Sequence, residues 1–555
     1  MSQKSLRRLA LLAVTTVLPL SLPAASSVPP AAEFYFPSTG VGVKGQALLL
    51  SIDDESLPLR ENLVAYLSKP TARKEPVLSP DKDDYTAPDQ VASHFYGTVI
   101  QDNGKFRMWY YSVGMKDPGD ARKADVKNLT QGPVCYAESD DGINWTKPKL
   151  GQMEFHGSKN NNAIALPDEL IESVHVIKDE EDPDPKRRYK MVYNPHNGTT
   201  WVIRTATSAD GIHWQAAPDF GIGKFLETAS FYKFNGLFVT HGQRLLFSEG
   251  GNKGGRQGHV VISSDFDHWL PGSVPAFALP EPAEPTQRGQ TLPYDQVHLG
   301  VGATSFGNVC VGLYGIWHNE PGDESSQKRW GWFGYGKISC DLGLVISNNG
   351  LRFREPVKGH VYISRHDAPS TPVPGKKYPT ALTQSGNGII NVGDETRIYF
   401  GRWLNADYGM GYHGEVALAV LPRDRWGALG LYPAPANNGA GFGGTPRTPA
   451  GVAPDSGFVW STAVTLPADG CKVVLNADHA SQMNVEISDE KFGLLPDYSG
   501  TKAGKSATAG GLDCAVAWSQ QDLRALAGKT VRFKVNLTRA ADAEPRLFAI
   551  YLRTE

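Results

Sequence analysis

Cysteine and methionine are scarce in this 555-residue chain, at five and seven copies. Cys135, Cys310, Cys340, Cys471 and Cys514 show none of the close spacings of a structural zinc site. The odd count leaves at least one thiol unpaired. Cys471 and Cys514 share the C-terminal segment and are the pair that could form a bridge, with buried free thiols as the alternative. A basic surplus is also lacking. Lys and Arg number 55 against 58 Asp and Glu, the formal charge is −3, and the signs are interspersed. That excludes the positive stripe a nucleic-acid partner needs. The apolar run Leu9 to Leu22 is too short for a comfortable membrane span. It follows Lys4, Arg7 and Arg8 and precedes the small residues Ala24, Ala25 and Ser26, the order of a secretory signal. Residues 1–26 are therefore expected to be a signal peptide. The remaining chain is expected to be secreted or periplasmic, with no membrane contact. With no cysteine near the cleavage zone, no lipid anchor is expected.

What is plentiful is glycine (59), proline (39) and aromatic side chains (10 %), a composition of turns and short strands. The length exceeds what one compact core holds. A strand-turn motif, Ser-x-Asp-Gly-x-x-Trp, recurs four times with drift. Its serines are Ser139, Ser208, Ser263 and Ser347, and its closing aromatics are Trp145, Trp214, Trp269 and Phe353. Asp-Gly or Asn-Gly supplies the positive-φ positions of a tight turn, and Ser and Asp bond its backbone N–H groups. The motif is thus architectural, with its aromatic expected to pack between neighbouring sheets. A second hairpin lies upstream of each copy, and two hairpins make a four-stranded propeller blade. A fifth unit runs from Gly388 to Leu421 without the Asp-Gly turn.

These signals predict an all-β chain in which a five-bladed β-propeller is followed by a C-terminal β-sandwich. Residues 33–80 are an N-terminal extension packing on the propeller, or a sixth blade. The propeller spans 81–433. A Gly-, Pro-, Ala- and Asn-rich linker covers 434–456, and the sandwich covers 457–555.

Strand ends such as Arg188-Tyr-Lys-Met191, followed by the Ser-x-Asp-Gly-x-x-Trp turn, make the chain resemble secreted bacterial proteins related to glycoside hydrolase families 32 and 43. The resemblance implies a five-bladed propeller, a carbohydrate substrate and paired carboxylates at the channel mouth. Family 32's nucleophile-bearing Asn-Asp-Pro-Asn-Gly-like stretch is absent, as is its Arg-Asp-Pro triplet, so catalytic residues do not transfer by motif. Glycoside hydrolysis needs two carboxyl groups flanking the scissile bond, one of them held neutral. The places to search are the starts of the first strands. They offer Asp89, His94 and Tyr96; Glu172 and His175; Glu227; Asp295 and His298; and Gln384 and Asn387. Glu227 and Asp295 rank first as catalytic carboxylates and Asp89 third. His94, His175, His241 and His318 would line a polar pocket, and Arg244 and Arg402 could hold an anionic sugar. No cofactor is expected. The acid run Asp179 to Asp184 could form a calcium loop but fits a hairpin better. The competing expectations are a non-catalytic carbohydrate-binding protein on the same scaffold and a sialidase-like hydrolase.

Overall fold

The computed structural model describes residues 32–554, apart from 124–126, 220–225, 248–252, 278–296, 321–336, 376–377, 405–410, 434–452, 520 and 541–542. The expected signal segment and most of the expected linker lie outside the described residues. Regular structure among the described residues is strand, with helix confined to single 3-10 turns. The all-β expectation holds, and the strands form curled sheets.

Five sheet units follow one another. Unit one holds Ala92–Asp102, Lys105–Met115 and Leu129–Ser139. Unit two holds Ile171–Lys178, Tyr189–Pro195, Arg204–Ser208 and Gln215–Ala216. Unit three holds Glu227–Phe234, Leu237–Phe247, Lys253–Ser263 and Val274–Phe277. Unit four holds Val297–Ser305, Cys310–Glu320, Lys337–Ser347 and Val361–Ile363. Unit five holds Ile389–Val392, Glu395–Leu404 and His413–Pro422, and takes its outer strand, Thr71–Ala72, from upstream of unit one.

The expected set of five separate sheets is not what the pairing gives. Units two and three stand alone, whereas units four, five and one run together into a 12-stranded sheet. The joins are short: Cys340↔Ala381 on one side and Gly414↔Ala92 on the other. Gly414 leaves no side chain to hold Ala92 off, so backbones that elsewhere only pack side by side approach to ladder distance.

Each recurring turn is held by local bonds. Ser139 Oγ accepts from the Gly142 N–H at 2.9 Å, and Asp141 Oδ1 accepts from the Ile143 and Asn144 N–H groups at 2.8 Å. The Trp145 indole N–H donates to the Gly142 carbonyl at 3.1 Å, so the closing aromatic caps its own turn as well as packing. The same bonds recur at Ser208 to Trp214 and at Ser263 to Trp269. Second strands dock onto these turns from the neighbouring unit. Trp109 Nε1 donates to the Gly211 carbonyl at 2.9 Å, and Tyr399 Oη donates to the Gly142 carbonyl at 2.8 Å. Apolar cores sit between units one and two, two and three, three and four, four and five, and five and one.

The segment Gln384 to Gly388 lies where the first strands meet. Gln384 donates to the Gly300 carbonyl at 3.0 Å. Ser385 donates to the Gly97 carbonyl. Asn387 donates to the carbonyls of Val176 and Phe231 at 3.1 and 2.7 Å. One short segment thereby ties the first strands of units one to four together.

The C-terminal strands do not stand as a sheet system of their own. They join the N-terminal strands in one 14-stranded sheet curled around a single core. Gly504–Ser506 makes the connection by pairing with Met483–Asp489 on one side and Gly511–Ala517 on the other. Gln46–Leu50 pairs with Arg546–Arg553, and Leu63–Leu67 pairs with Gly427–Leu431. Leu48, Leu50 and Ile52 also enter the core shared with units four and five. Cys471 and Cys514 are buried thiols rather than a bridge. Cys514 stands opposite Leu475, which is four residues, or about 13 Å of strand, beyond Cys471.

Candidate active site

The first strands of units two and three run side by side. Ser173 Oγ and Thr228 Oγ1 lie 2.7 Å apart, and the Thr228 N–H donates to Asn194 Oδ1 at 2.7 Å. The residue before each hydroxyl is a glutamate. Glu172 and Glu227 are therefore delivered together by one register, apolar–Glu–hydroxyl, repeated at Ile171-Glu-Ser and Leu226-Glu-Thr.

Both side chains are half-buried, and Glu172 Oε1 is closed off from solvent with no hydrogen-bond partner among the described residues. Gln243, from the second strand of unit three, donates its amide N–H to Glu227 Oε2. Its other end, Oε1, accepts from the Leu299 N–H at 2.7 Å. Burial raises the Glu172 carboxyl well above its ordinary value, and the Glu227 charge pushes it further. Burial raises Glu227 as well, opposed by the Arg256 charge and the Gln243 donor. The pair is thus two carboxyl groups, both raised by burial, with the Arg256 guanidinium beside them.

An aromatic and imidazole wall continues from Arg256. Its guanidinium carbon lies 5.6 Å from the Trp317 ring centre, and Trp317 lies 4.3 Å from His298. Tyr96 and Trp403 link His298 to His94, which stacks on Tyr111 at 4.8 Å. Burial and the His413 ring lower His94 to about 3. Burial lowers His298 well below its ordinary value, with the Arg256 and His94 charges adding to it. Both rings are therefore neutral, able to donate at one nitrogen and accept at the other.

The residues singled out in the sequence fall in different places. Glu227 is at this cluster, and His94 is in its wall. Asp295 lies outside the described residues. Asp89 is fully buried on the other side of unit one. There it accepts from Ser93 and Tyr110 at 2.7 and 2.8 Å and pairs with Lys147 at 2.6 Å. His175 bonds the Thr228 carbonyl at 3.1 Å, and burial lowers it to about 4. His241 accepts from the Val301 N–H at 3.2 Å and packs edge-on against Phe353. His318 pairs with Asp341 at 2.7 Å. Arg244 donates to Ser273 at 3.2 Å. Arg402 is buried, donates to the carbonyls of Arg73 and Lys74, and stands 3.7 Å from Glu415. The acids from Asp179 to Asp182 close a hairpin and are paired: Asp179, Glu181 and Asp182 with Lys190 and Lys233, and Glu180 with Lys178. Arg256 and Gln243 were missed in the sequence. Glu172 was noted at its strand start but not paired with Glu227. The repeated apolar–Glu–hydroxyl triplet is the signal that pairs them.

No protein-family model matches the chain. The uncharacterized protein Rv1502 of Mycobacterium tuberculosis is 27 % identical over 253 residues, which cover 42 % of this chain and 75 % of that protein. Among solved structures, a glycosyl hydrolase from Bacteroides ovatus is 14 % identical over 65 % of this chain and 94 % of its own, with a TM-score of 0.39. The beta-1,2-mannobiose phosphorylase from Listeria innocua, solved with beta-1,2-mannobiose, is 12 % identical over 65 % of this chain and 97 % of its own, with a TM-score of 0.38.

Proposed function

We propose that this chain is an exported carbohydrate-active enzyme of the glycoside hydrolase type that cleaves an oligo- or polysaccharide with Glu172 and Glu227. The observation that carries the reading is the carboxyl pair itself. Two glutamates stand on adjacent first strands, Glu227 bonded to the Gln243 amide and Glu172 Oε1 buried without a donor among the described residues, and an aromatic wall begins beside them. A neutral carboxylic acid next to an ionised one is the equipment of glycosidic cleavage, and aromatic faces suit sugar rings. Among the candidates named from sequence, Glu227 keeps its role, and Glu172 takes the place beside it.

The same reading treats the five units as blades of a propeller, with the glutamates at the mouth of its channel. Its supports are the cores between all successive units, the docking of unit five on unit one through Tyr399 and Gly142, and the Thr71–Ala72 strand that latches unit five.

The test is turnover of a panel of aryl glycosides and polysaccharides by the purified protein. Glu172→Gln and Glu227→Gln should each lower kcat by about 100-fold or more while leaving the melting temperature at neutral pH within a few degrees. Tight binding of a glycan without any turnover by the wild type would replace the reading with that of a carbohydrate-binding protein.

A further inference from the structure

We infer that Glu172 is the proton donor and Glu227 the ionised partner of the pair, with Gln243 as the positioning residue that sets this division. The inference rests on the glycoside-cleaving reading and goes beyond it.

Hydrogen bonding carries the assignment. Glu227 Oε2 accepts from the Gln243 amide. That amide is not free to turn over, because Gln243 is buried and its oxygen already accepts from the Leu299 N–H at 2.7 Å. Only its N–H₂ end faces Glu227, and a fixed donor favours the ionised carboxylate. Glu172 Oε1 has no such donor among the described residues. A buried carboxylate oxygen without a donor is costly, whereas the protonated acid needs less. The other titratable groups near the pair agree with the split. Arg256 opposes the rise at both acids, but at Glu172 the repulsion from Glu227 outweighs it. His175, on the same strand as Glu172, and His298, which also feels the Arg256 charge, are both held neutral by burial.

The step then balances. Glu172 gives its proton to the glycosidic oxygen as the bond from that oxygen to the anomeric carbon breaks. The bonding pair leaves with the oxygen, which departs as an alcohol. The incoming pair comes either from water, deprotonated by Glu227, or from Glu227 itself, whose ester is then opened by water as Glu172 takes that water's proton back and the Glu227 carboxylate leaves. The two routes differ in the anomer released, which nuclear magnetic resonance of the product reads directly.

The test uses the full chain and two aryl glycosides of whichever sugar the wild type accepts, one phenyl and one 2,4-dinitrophenyl. In kcat/KM, which reports the bond-breaking step, Glu172→Gln should lose about 100-fold or more on the phenyl glycoside, which needs an acid, and stay within about tenfold on the dinitrophenyl one, which does not. Glu227→Gln should lose both. The reverse pattern, or equal losses by Glu172→Gln on both substrates, overturns the assignment. Gln243→Glu keeps the size and the acceptor but replaces the donor with a second carboxyl group. It should move the acidic limb of the kcat/KM profile upward by about one pH unit, with KM changed less than about twofold. Gln243→Met, which removes both polar ends, should shift the limb in the same direction. An unmoved limb in both variants, with only stability lowered, reduces Gln243 to a structural role. If the wild type turns over no glycoside at all, the reading beneath the inference falls instead.

Discussion

A carboxyl group buried inside a protein beside a second acid holds its proton as the pH climbs, and this has a thermodynamic consequence at Glu172. Its folded value is raised above the ordinary 4.5, so the folded chain binds a proton that the unfolded chain has released. The stability tied to that proton is complete below about pH 4.5 and is lost as pH rises toward the folded value, at about 1.4 kcal/mol per pH unit. Glu172→Gln should therefore melt like the wild type at pH 4 and at a higher temperature than the wild type at pH 8. Thermal scans across that range check it, and a variant that loses stability equally at both pH values would contradict it. At this scale the sequence was partly legible. Glu227 is legible as a candidate because it is a lone acid at the head of a first strand, and that position is local. Arg256 and Gln243 were not, because only the pairing within unit three, and its contact with Leu299 of unit four, brings them to the carboxylates. Asp89 and Arg402 show the converse. Their residue types suit a site, but their partners, Lys147 and the Arg73 and Lys74 carbonyls, lie far away in the chain or on another strand.

The recurring turn owes its legibility to bonds that span no more than three residues or so, which makes it self-contained in sequence. Its glycine is the sensitive position. Gly142 has φ +73°, and a Cβ there would stand 2.6 Å from Tyr399 Oη and 2.7 Å from Arg397 Nη1. Gly142→Ala should cost about 1–3 kcal/mol, from the left-handed backbone and from displacing the unit-five side chains that dock there. Chemical denaturation measures it, and a neutral result would mean that the junction between units one and five yields easily. The third copy departs from the pattern in an instructive way. Phe266 takes the glycine position at φ 73° and is 1 % exposed. Its ring packs with Phe231, Phe238 and Trp269, so buried area offsets the backbone strain. Repeat drift at that position is thus an exchange of backbone ease for core contact. The merging of three units into one sheet was not visible in the sequence. It depends on single close approaches such as Gly414 against Ala92, which leave no periodic trace.

Across the whole molecule, the curled terminal sheet and the sheet units share one apolar core. Tyr551, Val474 and Ala549 from the terminal sheet pack with residues of units four and five, and Tyr551 donates to Asp424 at 2.8 Å in that core. Calorimetry should therefore show one cooperative transition rather than two. Tyr551→Phe should lower its midpoint by removing a donor from a buried carboxyl group, at a cost of about 1–3 kcal/mol. Two resolved peaks, with only one of them moved by the substitution, would show that the two parts melt independently. That residues 33–67 belong to the terminal sheet is not legible in the sequence, because strands they pair with begin some hundreds of residues later.

That long reach bears on how the chain acquires its structure. Thr554 donates its backbone N–H to the Gly45 carbonyl at 2.8 Å, so an early segment and the last described turn lie side by side. A contact of such high order closes late, after the entropy of the intervening loop has been spent. Gln46–Leu50, made early, pairs with Arg546–Arg553 and so waits unpaired until that late strand arrives.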